Sequence, residues 1–292
     1  MPLELPTSLS PSKVSSFTEC ALAFRFSAID RLPDPPTVAT VRGTLVHSAL
    51  ERLMLLPADQ RVPAAADQCL TEAWHAAHDD PELVALALDD EGRAGLLADA
   101  AALVERYFTL EDPTSITPIG LELKMETDID GLRLRGIIDR LEVDADGELV
   151  VTDYKTGRAP NQNFEQSRLG GVHFYAFLCE QVLGRRPARV QLLYLADPLA
   201  IVTVPTEQSI RGLQRKVRAI WSAIERACEK ENFAPRTSRL CDYCAYKAYC
   251  PSFGGSIAEA ERVAAELAAQ ATEATAAATD GAALTVPVAS AG

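Results

Sequence analysis

Short runs of β-branched, apolar residues alternate with polar turn residues through the middle of the chain. The segment Arg135–Gly157 holds two such runs, Gly-Ile-Ile before Asp139 and Leu-Val-Val-Thr before Asp153, with the pair Asp146-Gly147 between them. An Asp-Gly pair between two apolar runs is a strong local signal for a β-hairpin. We therefore predict two antiparallel strands joined by a tight turn over this segment.

Further elements are predicted on both sides of this hairpin. Apolar residues recur every three to four positions in several stretches, which favours amphipathic helices. The predicted helices are a short one after Ser10, then Val41–Leu56, Ala64–His78, Glu82–Leu110, Asn161–Leu183, Thr206–Asn232 and Ser256–Ala276. The other predicted strands are Ile116–Ile129, Arg189–Leu195 and Ala200–Val204. Helices, three strands, a helix and two strands follow one another, which indicates an α/β fold.

The predicted hairpin brings three charged side chains together. Because strand side chains alternate between faces, Asp153 and Lys155 point the same way, about 6.6 Å apart along the strand. The paired strand can bring Asp139 to the same edge. Carboxylates suit hard divalent cations such as Mg²⁺ or Mn²⁺, and an adjacent ammonium group stabilises negative charge, as metal-assisted phosphodiester hydrolysis requires. The alternative is a surface hairpin with an ordinary ion pair.

The full pattern of the segment resembles the catalytic core of the PD-(D/E)XK nucleases, specifically the RecB-family exonucleases. It reads Gly-Ile-Ile-Asp, a turn, then Val-Val-Thr-Asp-Tyr-Lys-Thr-Gly. The resemblance covers about Ser8–Gly255 and implies a restriction-endonuclease-like αβββαβ core. It implies that Asp139, Asp153 and the backbone carbonyl of Tyr154 bind a divalent metal. Lys155 would then position or activate the attacking water and stabilise the developing charge.

The same resemblance assigns positions outside the hairpin. His47, in the sequence Gly43-Thr-Leu-Val-His47, matches a metal-binding histidine of the family. Glu122 is a candidate for an assisting carboxylate, with an exposed strand glutamate as the alternative. Tyr175 matches the tyrosine of a Gln-x-x-x-Tyr motif that helps to place the substrate. Gly171 stands where that motif has Gln, and this departure bears on substrate positioning because glycine lacks the amide and weakens the helix.

The cysteines form a second candidate site. Cys241, Cys244 and Cys250 have the spacing Cys-x2-Cys-x5-Cys, and three thiolates so close together indicate a bound metal. No cysteine or histidine follows them, so a closed four-ligand site needs a remote partner. Cys20 is the natural candidate because the other three cysteines lie inside predicted helices. The resemblance implies a [4Fe–4S] cluster that staples the two ends of the chain, and zinc is the alternative because it accepts four cysteines equally well.

The net charge of −13 is unevenly distributed along the 292 residues. Between Lys155 and Cys250 there are 15 Lys and Arg against 8 Asp and Glu, which leaves 13 against 33 in the rest of the chain. A local basic surface rather than the global charge governs phosphate binding. The sequence contains no apolar run of membrane-spanning length and does not begin with a signal peptide, so we expect a cytoplasmic protein without membrane contact.

We expect a single RecB-like nuclease domain over residues 1–255, with a helical insertion at about 58–112 and a cysteine cluster at 241–250 that includes Cys20. An Ala-rich helix and a disordered tail would occupy residues 256–292. The expected function is that of a metal-dependent deoxyribonuclease, an exonuclease acting on single-stranded DNA or DNA ends in repair or recombination. The alternatives are an iron–sulfur DNA-binding module with weak or no nuclease activity, which partners a helicase, and a zinc-stapled partner subunit for a helicase. No Gly-x-x-x-x-Gly-Lys-Ser/Thr loop occurs, so unwinding would come from another protein.

Overall fold

The structure is a computed structural model that describes residues 2–159 and 165–281, with side chains over residues 2–159 and 171–273. The α-helices are α1 Pro11–Glu19, α2 Ala21–Phe24, α3 Val38–Leu55, α4 Pro63–Ala76, α5 Pro81–Ala85, α6 Asp90–Tyr107, α7 Glu165–Leu183, α8 Glu207–Glu229 and α9 Ile257–Gly281. The strands are β1 Pro118–Ile129, β2 Leu132–Val143, β3 Leu149–Lys155, β4 Arg189–Tyr194 and β5 Leu199–Thr203. Within the described residues, no helix has the length and apolar character needed to cross a membrane.

The strands form a mixed sheet in the order β1-β2-β3-β4-β5. Neighbouring strands are antiparallel except β3 and β4, which are parallel and are connected through α7. Asp130 and Gly131, with φ of 54° and 82°, make the two-residue turn between β1 and β2 that the right-handed twist of paired strands favours. The predicted hairpin is confirmed as the pairing of β2 with β3 around Gly147. The parallel pairing sets the carboxyl end of β3 beside that of β4.

Helices pack on the sheet in two places. Buried side chains of α3, α4 and α6 form a core with Tyr154 of β3 and Leu193 of β4. Helix α7 lies against β1, β2 and β4. Its Leu178 comes so close to β2 that a Cβ added at Gly136 would be 2.8 Å from the leucine side chain. Glycine at this position therefore allows the helix to approach the strand.

The chain divides into two compact units. One comprises Met1–Leu5, Ser16–Asp34 and Ala227–Gly292, and the other comprises Pro6–Ser15 and Pro35–Arg226. We call these the cysteine unit and the sheet unit, because all four cysteines of the predicted cluster lie in the first and all five strands in the second. The predicted single domain over 1–255, its insertion at about 58–112 and the tail over 256–292 stay predictions.

Several predicted helix boundaries are wrong. The helix predicted from Val41 begins three residues earlier because Thr37 caps it: the Thr37 hydroxyl accepts the N–H of Thr40, and the Thr40 hydroxyl accepts the N–H of Thr37. The single helix predicted over Glu82–Leu110 is broken into α5 and α6, since Ala87 adopts a φ of 48° between them. The first residues of the predicted helix Asn161–Leu183, and the predicted disordered tail beyond residue 281, lie outside the described residues.

Candidate metal centre

Three side chains from three elements bring metal-binding atoms together in the sheet unit. His47 Nδ1 of α3 lies 3.5 Å from Asp139 Oδ2 of β2 and 3.8 Å from Glu122 Oε1 of β1. Among the residues that the structure describes, this is the one group of three His, Cys, Asp or Glu whose ligand atoms all lie within 4.8 Å of one another. Two carboxylates and an imidazole suit a small divalent cation such as Mn²⁺ or Mg²⁺, so the residues fit a metal.

The position of His47 depends on a close approach of α3 to the end of β3. A Cβ added at Gly43 would lie 3.2 Å from Thr156 Oγ1, so little room exists for a side chain where the helix passes. His47 follows one turn later on the same face of the helix. Its ring packs edge-on against the ring of Tyr154, with centroids 6.0 Å apart. The Gly-x-x-x-His spacing thus has a physical reason. The glycine allows α3 to pass close to the end of β3, and the histidine one turn later is therefore near the strand residues.

Glu122 reaches the centre through an uncommon backbone conformation. Its φ of 42° lies in the left-handed region, which residues other than glycine rarely adopt. The residues on both sides of Glu122 stay paired with β2, so the ladder holds this conformation and Glu122 stands opposite Asp139. The side chain of Glu122 is 35% exposed. Glu122 is therefore not an ordinary, fully exposed strand glutamate.

Asp153 joins the centre from β3. It is 3% exposed and forms an ion pair with the ammonium group of Lys155, and its carboxylate, after burial, is the main cause that raises the pKa of Tyr175 on α7. Asp139 is held against the same strand, because its Oδ2 accepts the backbone N–H of Tyr154, the residue between Asp153 and Lys155, at 2.6 Å. The predicted residues of the hairpin, together with Tyr175, are therefore gathered in one place.

The centre carries an excess of negative charge. Burial raises the pKa of Asp139 to about 7, and the Asp153 carboxylate adds to the rise, although the backbone N–H of Tyr154 donates to Asp139 Oδ2 at 2.6 Å. Burial lowers the pKa of His47, but its carboxylate neighbours outweigh burial and the pKa is raised. Burial also opposes the charge of Lys155, yet the Asp153 carboxylate outweighs it, so the pKa is raised and the side chain is a cation. A second positive charge would relieve the remaining repulsion.

A buried polar cluster beside this centre was not predicted. Arg140 follows Asp139 directly, has an exposure of 0% and lies in a strand of apolar neighbours. Its guanidinium donates to the carboxylates of Glu111 and Glu142 and to the hydroxyl of Tyr154. Thr152 and Gln191 complete the cluster. The sequence offered one signal, a strand arginine that directly precedes the core residue Leu141 and follows the core residue Ile138 by two positions.

The four cysteines of the predicted cluster line one cavity of about 170 Å³ in the cysteine unit, where Cys20 joins Cys241, Cys244 and Cys250. Backbone N–H groups donate to two of the sulfur atoms, at 3.4 Å to Cys20 Sγ and 3.3 Å to Cys241 Sγ. Burial raises the pKa of the Cys244 thiol, and the other three sulfur groups raise it further. The remaining cysteines of the chain are buried within α4, α7 and α8.

Two proteins of mycobacteriophages are similar to this chain in sequence. The Gene 69 protein of Mycobacterium phage D29 is 27% identical over 176 residues, which cover 53% of this chain, and the chain spans 65% of that protein. The Gene 69 protein of Mycobacterium phage L5 is 22% identical over 289 residues, which cover 84% of this chain and 96% of that protein.

One solved structure has a similar fold. It is a protein of Eubacterium rectale whose name provisionally assigns it as an exonuclease, with 14% identity, a TM-score of 0.51 and coverage of 82% of this chain and 88% of that one. At this level of identity the likeness concerns the fold alone. A family model described as the PD-(D/E)XK nuclease superfamily matches residues 8–251, which include every residue of the metal centre. Since that match extends over most of the chain, the protein belongs to the PD-(D/E)XK nuclease superfamily.

Proposed function

We propose that this protein is a divalent-metal-dependent deoxyribonuclease of the RecB type, an exonuclease that degrades single-stranded DNA or DNA ends in repair or recombination. The observation that carries the proposal is the cluster of His47, Glu122 and Asp139, in which Asp139 accepts the backbone N–H of Tyr154, the residue between the paired Asp153 and Lys155. Mg²⁺ or Mn²⁺ bound there would supply charge neutralisation at the scissile phosphate and a water of lowered pKa.

Metal binding, charge stabilisation and substrate placement would fall to different residues of the chain. His47, Asp139, Asp153 and the backbone carbonyl of Tyr154 hold the cation, and Glu122 adds a carboxylate that the sequence had indicated less strongly. Lys155 is a cation fixed by Asp153, so it can orient the attacking water and stabilise the negative charge that grows on the phosphorus centre. Burial and the Asp153 carboxylate both raise the pKa of Tyr175, so this hydroxyl is held neutral near the ligands, where it can place the substrate.

The proposal is tested with anaerobically purified protein on 5′- and 3′-labelled DNA. Linear and circular forms of single- and double-stranded DNA are incubated with Mg²⁺ or Mn²⁺, beside an Asp153→Asn variant. We expect metal-dependent degradation of linear substrates by the wild type and none by the variant. Cleavage of circular DNA would overturn the exonuclease assignment, and equal cleavage by the Asp153→Asn variant would overturn the proposed site.

Metal binding is expected to stabilise the protein more at pH 8 than at pH 6. Asp139, with a pKa of about 7, is largely protonated at pH 6 in the metal-free protein, so protons compete with the cation for it. This competition alone weakens the apparent affinity about tenfold between pH 8 and pH 6, and a ligand that binds the folded state stabilises it according to its affinity. Thermal unfolding with and without Mn²⁺ at both pH values measures the effect. A Mn²⁺-induced increase in Tm that is the same at pH 6 and pH 8 would contradict this prediction. The Asp139→Asn variant serves as the control.

The cysteine unit is proposed to hold a [4Fe–4S] cluster. The four cysteines line one cavity of the cysteine unit. Sulfur ligands of one tetrahedral zinc ion lie about 3.8 Å apart, and no three of these cysteines, all within the described residues, have sulfur atoms within 4.8 Å of one another. The wider separation of the sulfur atoms supports the larger cofactor.

The Cys20→Ser substitution is expected to remove the bound iron almost completely. Cys20 lines the same cavity as the three C-terminal cysteines, so its loss leaves the cluster with three thiolates. Iron and acid-labile sulfide content, together with visible absorption, measure the result. The matched control is Cys228→Ser, in a buried cysteine of the same unit outside the cavity. Zinc in place of iron in the anaerobic wild-type protein would contradict the proposal.

The second candidate function is a DNA-binding iron–sulfur module with weak nuclease activity that assists a helicase, and Gly171 is the observation that favours it. The position lies one turn before Tyr175 on α7, and no described atom lies within 4 Å of a Cβ added there. The described residues therefore leave room for a Cβ at this position, and we expect Gly171→Gln to cleave DNA several-fold faster and to be slightly more stable because glycine weakens a helix. Gly171→Ala is the control, since it improves the helix without adding an amide. An unchanged cleavage rate would show that the glycine does not limit activity.

A further inference from the structure

We propose that Tyr154 and Arg140 form a positioning device that sets the geometry of the metal ligands, an inference that rests on the proposed function. The side chain of Tyr154 points away from Asp153 and Lys155, because neighbours along a strand alternate between faces. The device would act on the affinity for the cation rather than on the reaction itself.

Tyr154 contacts several parts of the centre at once. Its backbone N–H donates to Asp139 Oδ2 at 2.6 Å, and its ring packs edge-on against the ring of His47 at 6.0 Å. It also stands in the chain between Asp153 and Lys155. A shift of Tyr154 would therefore displace an oxygen ligand and a nitrogen ligand together.

The hydroxyl group of Tyr154 is fixed from the other end by Arg140. Arg140 Nη1 donates to Tyr154 Oη at 2.7 Å, and the arginine is completely buried. The guanidinium cannot turn, because Glu111 accepts from both of its terminal nitrogens, at 2.9 Å and 2.8 Å, and Glu142 accepts from Nε at 2.6 Å. A two-point Arg–carboxylate pair fixes direction as well as distance. The hydroxyl of Tyr154 is consequently held at one place, and the ring and backbone attached to it are held too.

Buried ion-pair clusters often serve stability alone, so the test needs a matched tyrosine. Tyr107 provides it. Its hydroxyl lies 3.4 Å from the same Arg140 Nη1, and its ring packs edge-on against that of Tyr154 with centroids 5.8 Å apart. Tyr107 belongs to α6 and has no bond to Asp139 or His47 among the contacts of the described residues. Removing its hydroxyl group disturbs the buried cluster without releasing the ligands.

The experiment compares wild type, Tyr154→Phe and Tyr107→Phe, since replacing Arg140 itself could unfold the protein. Mn²⁺ affinity is measured without DNA from the loss of the free-ion electron paramagnetic resonance signal, and thermal unfolding of the metal-free proteins is recorded beside it. We expect Tyr154→Phe to weaken Mn²⁺ binding at least tenfold, as loss of groups that orient metal ligands does. Tyr107→Phe should bind as the wild type does. Cleavage by Tyr154→Phe should recover at saturating Mn²⁺.

Two results would overturn the inference: affinity of Tyr154→Phe within twofold of wild type, or equal weakening in both variants, which would indicate a merely structural cluster. Failure of the proposed function is a different result, because the wild type would then neither bind Mn²⁺ nor cleave DNA.

Discussion

Replacing Lys155 by methionine is expected to slow DNA cleavage by about 10³-fold while leaving Mn²⁺ binding intact. The ammonium group pairs with buried Asp153 and is the positive charge that the chain itself supplies beside the metal ligands. In the wild type the cation must compete with Lys155 for the Asp153 carboxylate. Removal of the ammonium group therefore leaves the affinity for Mn²⁺ equal or higher, although the developing charge on phosphorus is no longer stabilised. Single-turnover cleavage of labelled DNA and a Mn²⁺ titration of the same preparation measure the two effects.

Two further variants separate these roles. Asp153→Asn should lose both cleavage and Mn²⁺ affinity because it removes a ligand, whereas Lys155→Met should lose cleavage alone. Lys230→Met, in an exposed residue at the end of α8, controls for a general loss of positive charge. If Lys155→Met degrades DNA at the wild-type rate, the mechanism is wrong.

Replacing Arg140 by methionine is expected to lower the free energy of unfolding by about 3–5 kcal/mol at pH 8, because it strands buried carboxylates without their cation. Glu142 and Glu111 both accept hydrogen bonds from this one guanidinium. Methionine fills much of the volume but offers no donor, so Glu142 loses the donor at its Oε2 and Glu111 keeps the amide of Gln191 but not the guanidinium. Urea unfolding followed by circular dichroism measures the loss.

The free energy of unfolding that Arg140→Met loses should be smaller at pH 5.5 than at pH 8. In the wild type, burial raises the pKa of Glu142 while Arg140 opposes the rise. Without Arg140 the pKa rises further, so the folded variant binds a proton in a range where the unfolded chain has released it. The free energy of unfolding of the variant, relative to that of the wild type, therefore falls as the pH rises above the pKa that Glu142 has in the unfolded chain. A double variant with Glu142→Gln should recover part of the loss at pH 8, and a loss independent of pH would contradict the explanation.

Local patterns were enough to predict the hairpin and most of the helices. The register of Asp139 with the end of β3 follows from two apolar runs and an Asp-Gly turn, which act over a few residues. His47 needed the resemblance to a family, since its nearness to Asp139 depends on how α3 packs beside Thr156. The left-handed conformation of Glu122 has no sequence signal, because it is held by the ladder with β2.

The burial of Arg140 could not be predicted for a similar reason. An arginine in a strand is usually assigned to the solvent face, and its partner Glu111 lies 29 positions earlier, just after α6. Only the packing of that helix on the sheet brings the two charges together. The break between α5 and α6 at Ala87 is also local, but no glycine or proline marks it in the sequence.

The distribution of the four cysteines along the chain has a consequence for biosynthesis. About 220 residues separate Cys20 from Cys241, so at a translation rate of roughly 5–20 residues per second the first thiol precedes the next by roughly 11–44 seconds. During that interval synthesis of the sheet unit is completed by its second segment, Pro35–Arg226, whereas Phe26 still lacks Tyr246, the ring it packs against in the cysteine unit. Delivery of iron and sulfide to the proposed cluster is therefore a step that follows synthesis, and until then Cys20 is a thiol open to oxidation or to the wrong metal.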